Sequence, residues 1–301
     1  MKILITGHKG FIGNELTAAL NRIRNQYDYE LYGFDIEKNP LDDIRDRIRM
    51  DKFFETNQID MVIHLAALPG VRKSEEFPDE YTKTNILGTK NVLDSAKKYG
   101  VKHFIFFSSS SVLGGNSDIG NSGLTENQSY NPLSFYAMTK VAGEMLVRAS
   151  GLNYTIIRPF TVYGYNCRPD MLIGKWIKQI KAGRQITIIK PSFSARGFTH
   201  IDDLVGGMVR AIELAGMLTN ETIHLGGAEL ITVEDIYRIF KDFLAGKKGI
   251  DFGDHSVDYK ERTDGDPLYS FANINKAWNL LGWRPQHKFE YSLRDILKSE
   301  F

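Results

Sequence analysis

Two short stretches carry side chains that could do chemistry together. One is Ser108-Ser109-Ser110-Ser111, at the end of the apolar run His103 to Phe107. The other is Tyr136-Ala137-Met138-Thr139-Lys140. Residues four apart on a helix share a face, so Tyr136 and Lys140 would present a phenol and an ammonium together. A phenol of ordinary pKa is a poor base at neutral pH. A neighbouring cation stabilises phenolate and lowers that pKa. Ser109, at a strand end, could share and orient the proton of a substrate hydroxyl. A Tyr-x-x-x-Lys spacing alone occurs by chance in many helices. Its weight here comes from what precedes it.

What precedes it is a glycine turn. Gly7, Gly10 and Gly13 stand between a β-branched run, Lys2 to Thr6, and a helical pattern, Phe11 to Arg24, that Phe11 and Ile12 open. The spacing is GxxGxxG, not GxGxxG, but the physics is shared. Glycine lets the backbone turn tightly and approach a pyrophosphate, and the helix N-terminus offers free N–H groups and a positive dipole end. Turns also need glycine, so a second feature matters. Asp35 ends the next strand, about 20 residues past the last glycine, where a carboxylate can bond ribose hydroxyls and repel a 2′-phosphate. The expected cofactor is NAD rather than NADP.

The elements that must position these groups alternate along the first half. Strands are expected at Lys2 to Thr6, Glu30 to Asp35, Met61 to Ala66, His103 to Ser108 and Tyr154 to Arg158, with helices near 84–99 and 134–150. Near-continuous apolar strands alternating with helices imply a parallel sheet covered on both faces. The expected fold is α/β: a Rossmann-type doubly wound sheet with a smaller C-terminal α/β substrate-binding domain. We divide it at 1–165 and 166–301, with about 197–225 returning to the first domain. Helices are expected at Leu172 to Lys181, Ile201 to Leu214, Val233 to Ala245 and Ile274 to Leu281.

Composition narrows the partners. The chain has 301 residues, 38 Lys and Arg against 37 Asp and Glu, for a net charge of +1. That balance gives no electrostatic case for nucleic acid or membrane. No run of about 20 apolar residues exists, so no transmembrane helix is expected. Cys167 is the one cysteine, so no intrachain disulfide can form, which fits a cytoplasmic location. No His or Cys cluster has metal-ligand spacing, and no metal is expected. The seven histidines show no functional grouping in sequence.

With these motifs in place, the chain resembles the extended short-chain dehydrogenase/reductases, in the nucleotide-sugar epimerase/dehydratase group, over nearly its whole length. TGHKGFIG resembles the family's TGxxGxxG, and VIHLAA its cofactor-side strand end, which implies that Leu65, Ala66 and Ala67 lie along the cofactor. Asp43-Ile44 matches an adenine-contacting pair and Asn85 a cofactor-side Asn. The resemblance also puts Ser108, Tyr136, Lys140 and Pro159 against the cofactor. Ser109 takes the place of the catalytic Ser or Thr. RPFTVYG, RGFTHIDDL and GDPLYSFANINKAWNLLGWRP match three further family segments.

Departures from the family narrow the branch. Dehydratases carry Asp-Glu directly after the catalytic residue; here those positions are Ser110 and Ser111. Ala67 to Ser74 and Phe160 to Met171 are similar to the AxxGVRxS and FTVYGPxxRPDM of UDP-glucuronate 4-epimerases. The resemblance implies a UDP-sugar substrate met by Arg72, Ser109, Ser110, Thr161, Arg168, Arg196 and Asp266. Arg168 could hold a carboxylate in bidentate fashion. Leu113 replaces a usual Tyr, Pro159 a usual aromatic, and Lys190 to Ser192 a usual GDG. Arg262 is one residue out of register for a phosphate clamp.

The activity implied is C4 epimerisation of a UDP-hexose or hexuronate, UDP-glucuronate favoured. Decarboxylation of a 4-keto uronate is the nearest alternative. A dehydrogenase exchanging free cofactor and a non-catalytic NAD-binding regulator are further ones. The family also implies a homodimer built on the helices near 84–99 and 134–150.

Overall fold

The computed structural model describes residues 1–115, 123–227, 229–247, 249–253, 256–261 and 267–301. In chain order the first part runs β1 (Lys2–Thr6), α1 (Phe11–Tyr27), β2 (Glu30–Phe34), α2 (Arg47–Asn57), β3 (Met61–His64), α3 (Val71–Glu76) and α4 (Pro78–Tyr81). A π-helical stretch (Thr82–Gly88) leads into α5 (Thr89–Lys98), β4 (His103–Phe107), a 3₁₀ turn (Ser110–Leu113), α6 (Phe135–Ala149) and β5 (Tyr154–Pro159). Then come β6 (Val162–Tyr163), α7 (Leu172–Lys181), β7 (Ile186–Lys190), β8 (Ala195–Gly197), β9 (Thr199–His200), α8 (Ile201–Glu213) and β10 (Glu221–Leu225). The last elements are β11 (Leu230–Thr232), α9 (Val233–Leu244), β12 (Val257–Glu261), β13 (Tyr269–Ser270), α10 (Asn275–Leu281) and α11 (Phe289–Glu300).

Six strands form one parallel sheet in the order β2-β1-β3-β4-β5-β10. Successive strand residues face opposite sides. Ile3 and Ile5 therefore enter one apolar core with α1 and α8, while Leu4 enters another with Phe54, Val92 and Val147. The strands are covered on both faces, which is why their sequences are continuously apolar. Strand order reverses between β1 and β3, so a crevice opens there at the carboxyl ends. The glycine turn and Ala66 meet at that point.

The chain beyond β5 divides between two places. β10 joins the sheet beside β5, and α8 packs on α1. A third core gathers Tyr163, Trp176, Ile188, Phe240, Phe289 and Leu293. It rests on a two-stranded pair, β7 with β12, and on the sheet β11-β8-β13.

Several elements differ from the sequence reading. The third strand ends at His64, two residues early. The helix expected from 84 begins as a π-helical stretch, so its first turn is wider than an α-helix. α2 was not expected. It buries only Met50 and Phe54, four residues apart, and starts where the Asp46 side chain accepts from the Arg49 N–H. α11 was also not expected; Phe289, Leu293, Ile296 and Leu297 form its buried stripe. Among the described residues no helix is long and apolar enough to cross a membrane.

Candidate active site

The turn after β1 is shaped for a close-lying ligand. Gly7 has φ +72°, and a Cβ there would lie 2.7 Å from the Ala66 nitrogen. A Cβ on Gly13 would lie 2.2 Å from the Gly7 oxygen. Side chains at these places would collide with the backbone of Ala66 and of the turn itself, so glycine lets the turn fold this tightly against the start of α1. Gly10 precedes α1 with no side-chain cap, so the N–H groups of Phe11 and Ile12 open the helix uncapped. Asp35 is buried; its Oδ2 accepts from the Lys9 N–H at 2.8 Å and its Oδ1 from the Glu37 N–H at 2.9 Å. The carboxylate thus ties the turn to the end of β2, and its remaining lone pairs can still accept from a ribose. This cradle and this carboxylate fit NAD.

Neighbouring groups complete the cofactor side. Gly7 abuts Leu65 and Ala66, and Ala67 follows. The Asn85 amide accepts from the Leu68 N–H at 2.7 Å and donates to the Leu68 carbonyl and the Thr139 hydroxyl. It therefore fastens the exit of β3 to α6. Ile44 packs against Gly88, where a Cβ would come within 2.7 Å of its Cδ1. Asp43 is paired with Arg45 at 2.7 Å. Pro159 closes β5 opposite Leu225.

The expected catalytic groups converge. Ser134 caps α6 by accepting from the Ala137 N–H, and the Tyr136 N–H donates to Ser74 Oγ at 2.9 Å. The Ser109 hydroxyl lies near enough to the Tyr136 phenol to lower its pKa; it donates to Ser111 Oγ at 3.0 Å and accepts from the Ser111 N–H at 3.1 Å. Ser110 opens the 3₁₀ turn beside it. Lys140 Nζ donates to the Phe107 carbonyl at 2.9 Å and sits 6.0 Å from the Tyr136 ring centre.

Electrostatics differ in one respect from the sequence reading. Burial raises the Tyr136 phenol, and the opposing influences are the Ser109 hydroxyl and the Arg168 charge, not Lys140. Burial also pulls Lys140 down, to about 8. The ammonium is spent on the Phe107 carbonyl.

The substrate-side residues spread over two places. Arg168 forks onto Asp170, with a 3.0 Å bond from Nε, and faces Gly70 and Tyr81. Its field reaches Tyr136. Thr161 and Arg196 instead line a cavity of about 220 Å³ with Tyr163, Phe198 and Pro267. The Arg196 guanidinium donates to the carbonyls of Ala195, Pro267 and Leu268. Arg72 is exposed on α3, close enough to lower Lys175 after burial does so. Asp266 and Arg262 lie outside the described residues. Cys167 lines the same cavity, and burial pushes its thiol up, so it is not primed as a nucleophile.

Two histidines that looked isolated in sequence meet in space. The rings of His200 and His287 stack at 4.1 Å and 18°, with Asp202 at 3.6 Å and 3.8 Å. In-plane lone pairs of near-parallel rings do not converge on one ion in this arrangement.

Residues 3–226 match the model of the NAD dependent epimerase/dehydratase family. The chain belongs to that family. It is 35% identical to a UDP-glucuronate 4-epimerase of Thermodesulfobacterium geofontis, over 91% of this chain and 80% of that one. The crystal structure of UDP-glucuronic acid 4-epimerase from Bacillus cereus, with UDP-glucuronic acid and NAD, superposes with TM-score 0.85 at 31% identity over 100% of both chains. The dTDP-glucose 4,6-dehydratase DesIV from Streptomyces venezuelae superposes with TM-score 0.88 at 26% identity, covering 99% of this chain and 96% of that one. The fold is thus shared by epimerases and dehydratases, and side chains must distinguish them.

The structure also holds a buried polar network that motif reading missed. Glu144, on α6, and Arg158, on β5, form a buried ion pair at 2.8 Å close to the candidate catalytic residues. The available signal was a carboxylate four residues after Lys140 on the same helix face.

Proposed function

We propose that this chain is an NAD-dependent 4-epimerase of a UDP-hexuronate, with UDP-glucuronate as its substrate. Arg168 carries the reading: its guanidinium, paired with exposed Asp170, is near enough for its charge to lower the Tyr136 phenol. A substrate carboxylate can exchange for Asp170 in the same bidentate geometry. Ser110 and Ser111 support epimerisation over dehydration, since neither can serve as the acid–base carboxylate of water loss. The similarity to UDP-glucuronate 4-epimerases agrees with both points.

In this reading Tyr136 takes the proton of the C4 hydroxyl, and Ser109 orients that hydroxyl. Bound NAD supplies the hydride acceptor at C4 and the donor that restores it. Lys140 holds the end of β4, and therefore Ser109, in place. Thr161 and Arg196 line the cavity for the nucleotide end, while the sugar turns over at Tyr136. Arg168 keeps the carboxylate of the 4-keto acid ion-paired and so disfavours loss of CO₂. The Tyr136 proton then returns to the sugar oxygen.

The same reading includes a homodimer. Met138 and Met145, seven residues apart on α6, are exposed, as is Leu87 on the adjoining π-helical stretch. They form an apolar stripe that a second copy would cover. It also includes a cytoplasmic location, in keeping with the unpaired Cys167.

The test is incubation of purified protein with UDP-glucuronate, without added cofactor, followed by proton NMR. The expected product is the C4 epimer. Release of CO₂ with formation of a pentose would replace epimerisation by decarboxylation. No change in UDP-glucuronate, even with added NAD, would refute the proposal.

A further inference from the structure

We infer that Glu144 is a positioning residue of the reaction: its buried carboxylate ties the carboxyl ends of β4 and β5 to helix α6, and so holds Ser109 against Tyr136. Glu144 is 0% exposed and Arg158 1% exposed. A buried carboxylate is costly unless it is paired and hydrogen-bonded. Glu144 is paired on both oxygens. Oε1 accepts from Ser108 Oγ at 2.5 Å and from Arg158 Nε at 2.8 Å. Oε2 accepts from Arg158 Nη2 at 2.8 Å and from the Tyr130 hydroxyl at 2.7 Å.

These partners come from different elements. Ser108 follows β4, Arg158 lies in β5, and Tyr130 precedes α6. Lys140, one turn before Glu144, grips the carbonyl of Phe107. Helix α6 therefore holds two successive residues of the strand end, Phe107 through Lys140 and Ser108 through Glu144. Ser109 is the next residue. A shift of either tie would move its hydroxyl relative to the phenol on the same helix. A buried ion pair gives little net stability compared with apolar packing of the same shape. Its location directly behind the catalytic strand end gives it a different use. Its charge also acts on Lys140, raising it against the effect of burial.

Two variants separate position from charge. Glu144→Asp keeps the charge and shortens its reach. The paired variant Glu144→Gln/Arg158→Gln removes both charges, so no unpaired charge stays buried. For each, melting temperature, kcat, KM and the pH profile with UDP-glucuronate are measured. The Lys140 titration is followed by carbon-13 NMR of the lysine side chains, assigned with Lys140→Arg.

Glu144→Asp is expected to lower kcat about tenfold or more, with KM within about twofold and the alkaline limb unmoved. The paired variant is expected to lower kcat similarly and to move both the limb and the Lys140 titration to lower pH. Folded variants with wild-type kcat and pH profile, altered only in melting temperature, would overturn the inference.

The kinetic arm rests on the epimerase reading; the NMR arm does not. If wild-type protein converts no UDP-sugar, that reading fails by itself. The backbone amide shifts of Ser108 and Ser109 then decide the inference: their displacement in folded Glu144→Asp supports it, and unchanged shifts overturn it.

Discussion

Lys140 Nζ donates to the main-chain oxygen of Phe107 at 2.9 Å, which places the ammonium in a buried site at the end of β4. The neighbouring Tyr136 phenol is lowered by Ser109 and Arg168 against the effect of its burial. Lys140 thus joins α6 to the strand end that carries Ser109.

That lysine sets a pH limit. Burial brings it from its ordinary 10.5 to about 8, so its charge is lost as pH rises through about 8. Activity is expected to fall on that limb. In Lys140→Arg, whose guanidinium keeps its proton, the limb should vanish at a lower overall rate. Between about 8 and 10.5 the unfolded chain binds the extra proton, so this group makes stability rise with pH in that window. Melting curves of the protein without NAD and of Lys140→Met over pH 8 to about 10 check the sign; a rise confined to the wild type is expected.

Removing the phenol should abolish turnover without unfolding the protein. The backbone of Tyr136 is held by Ser74 through its N–H, independently of the phenol oxygen. Tyr136→Phe is expected to lower kcat by about 10²- to 10⁴-fold, the usual worth of a positioned acid–base group. Circular dichroism should be unchanged. Absorbance of enzyme-bound NADH after substrate addition provides the direct reading.

Arg168 should discriminate among sugars. Loss of a charged hydrogen-bonding group costs about 1.5–3 kcal/mol, or about 10- to 100-fold in binding. Arg168→Gln is expected to raise KM for UDP-glucuronate by that factor and to change KM for UDP-glucose much less. Equal effects on both sugars would remove Arg168 from the carboxylate site.

Gly7→Ala tests the cofactor cradle. The position has φ +72° and leaves 2.7 Å between a Cβ and the Ala66 nitrogen, so the turn must move. Purified variant is expected to carry less NAD than purified wild type, by absorbance after denaturation, and to melt at a lower temperature. Full NAD content would show that the turn tolerates a side chain.

The sequence by itself determined what depends on short-range periodicity. Apolar runs at strand length alternating with helical spacing implied the parallel sheet, and six parallel strands formed it. Glycines three apart around Phe11 marked a tight turn into α1, and Asp35 the carboxylate beside it, because backbone conformation and helix ends are local properties. Tyr136 and Lys140 were readable because a helix puts residues four apart on one face. Tertiary structure decided what depends on packing between distant elements. Arg168 and Arg196 look alike as motif residues, yet one pairs with Asp170 and acts by its charge on Tyr136, while the other donates to carbonyls of residues 195, 267 and 268. Helix α2, with only Met50 and Phe54 buried, had too narrow an apolar stripe to stand out. Glu144 looked like an ordinary helix carboxylate. Its partners Ser108 and Arg158 reach it only when β4, β5 and α6 pack, because burial turns a solvated charge into one that must be paired.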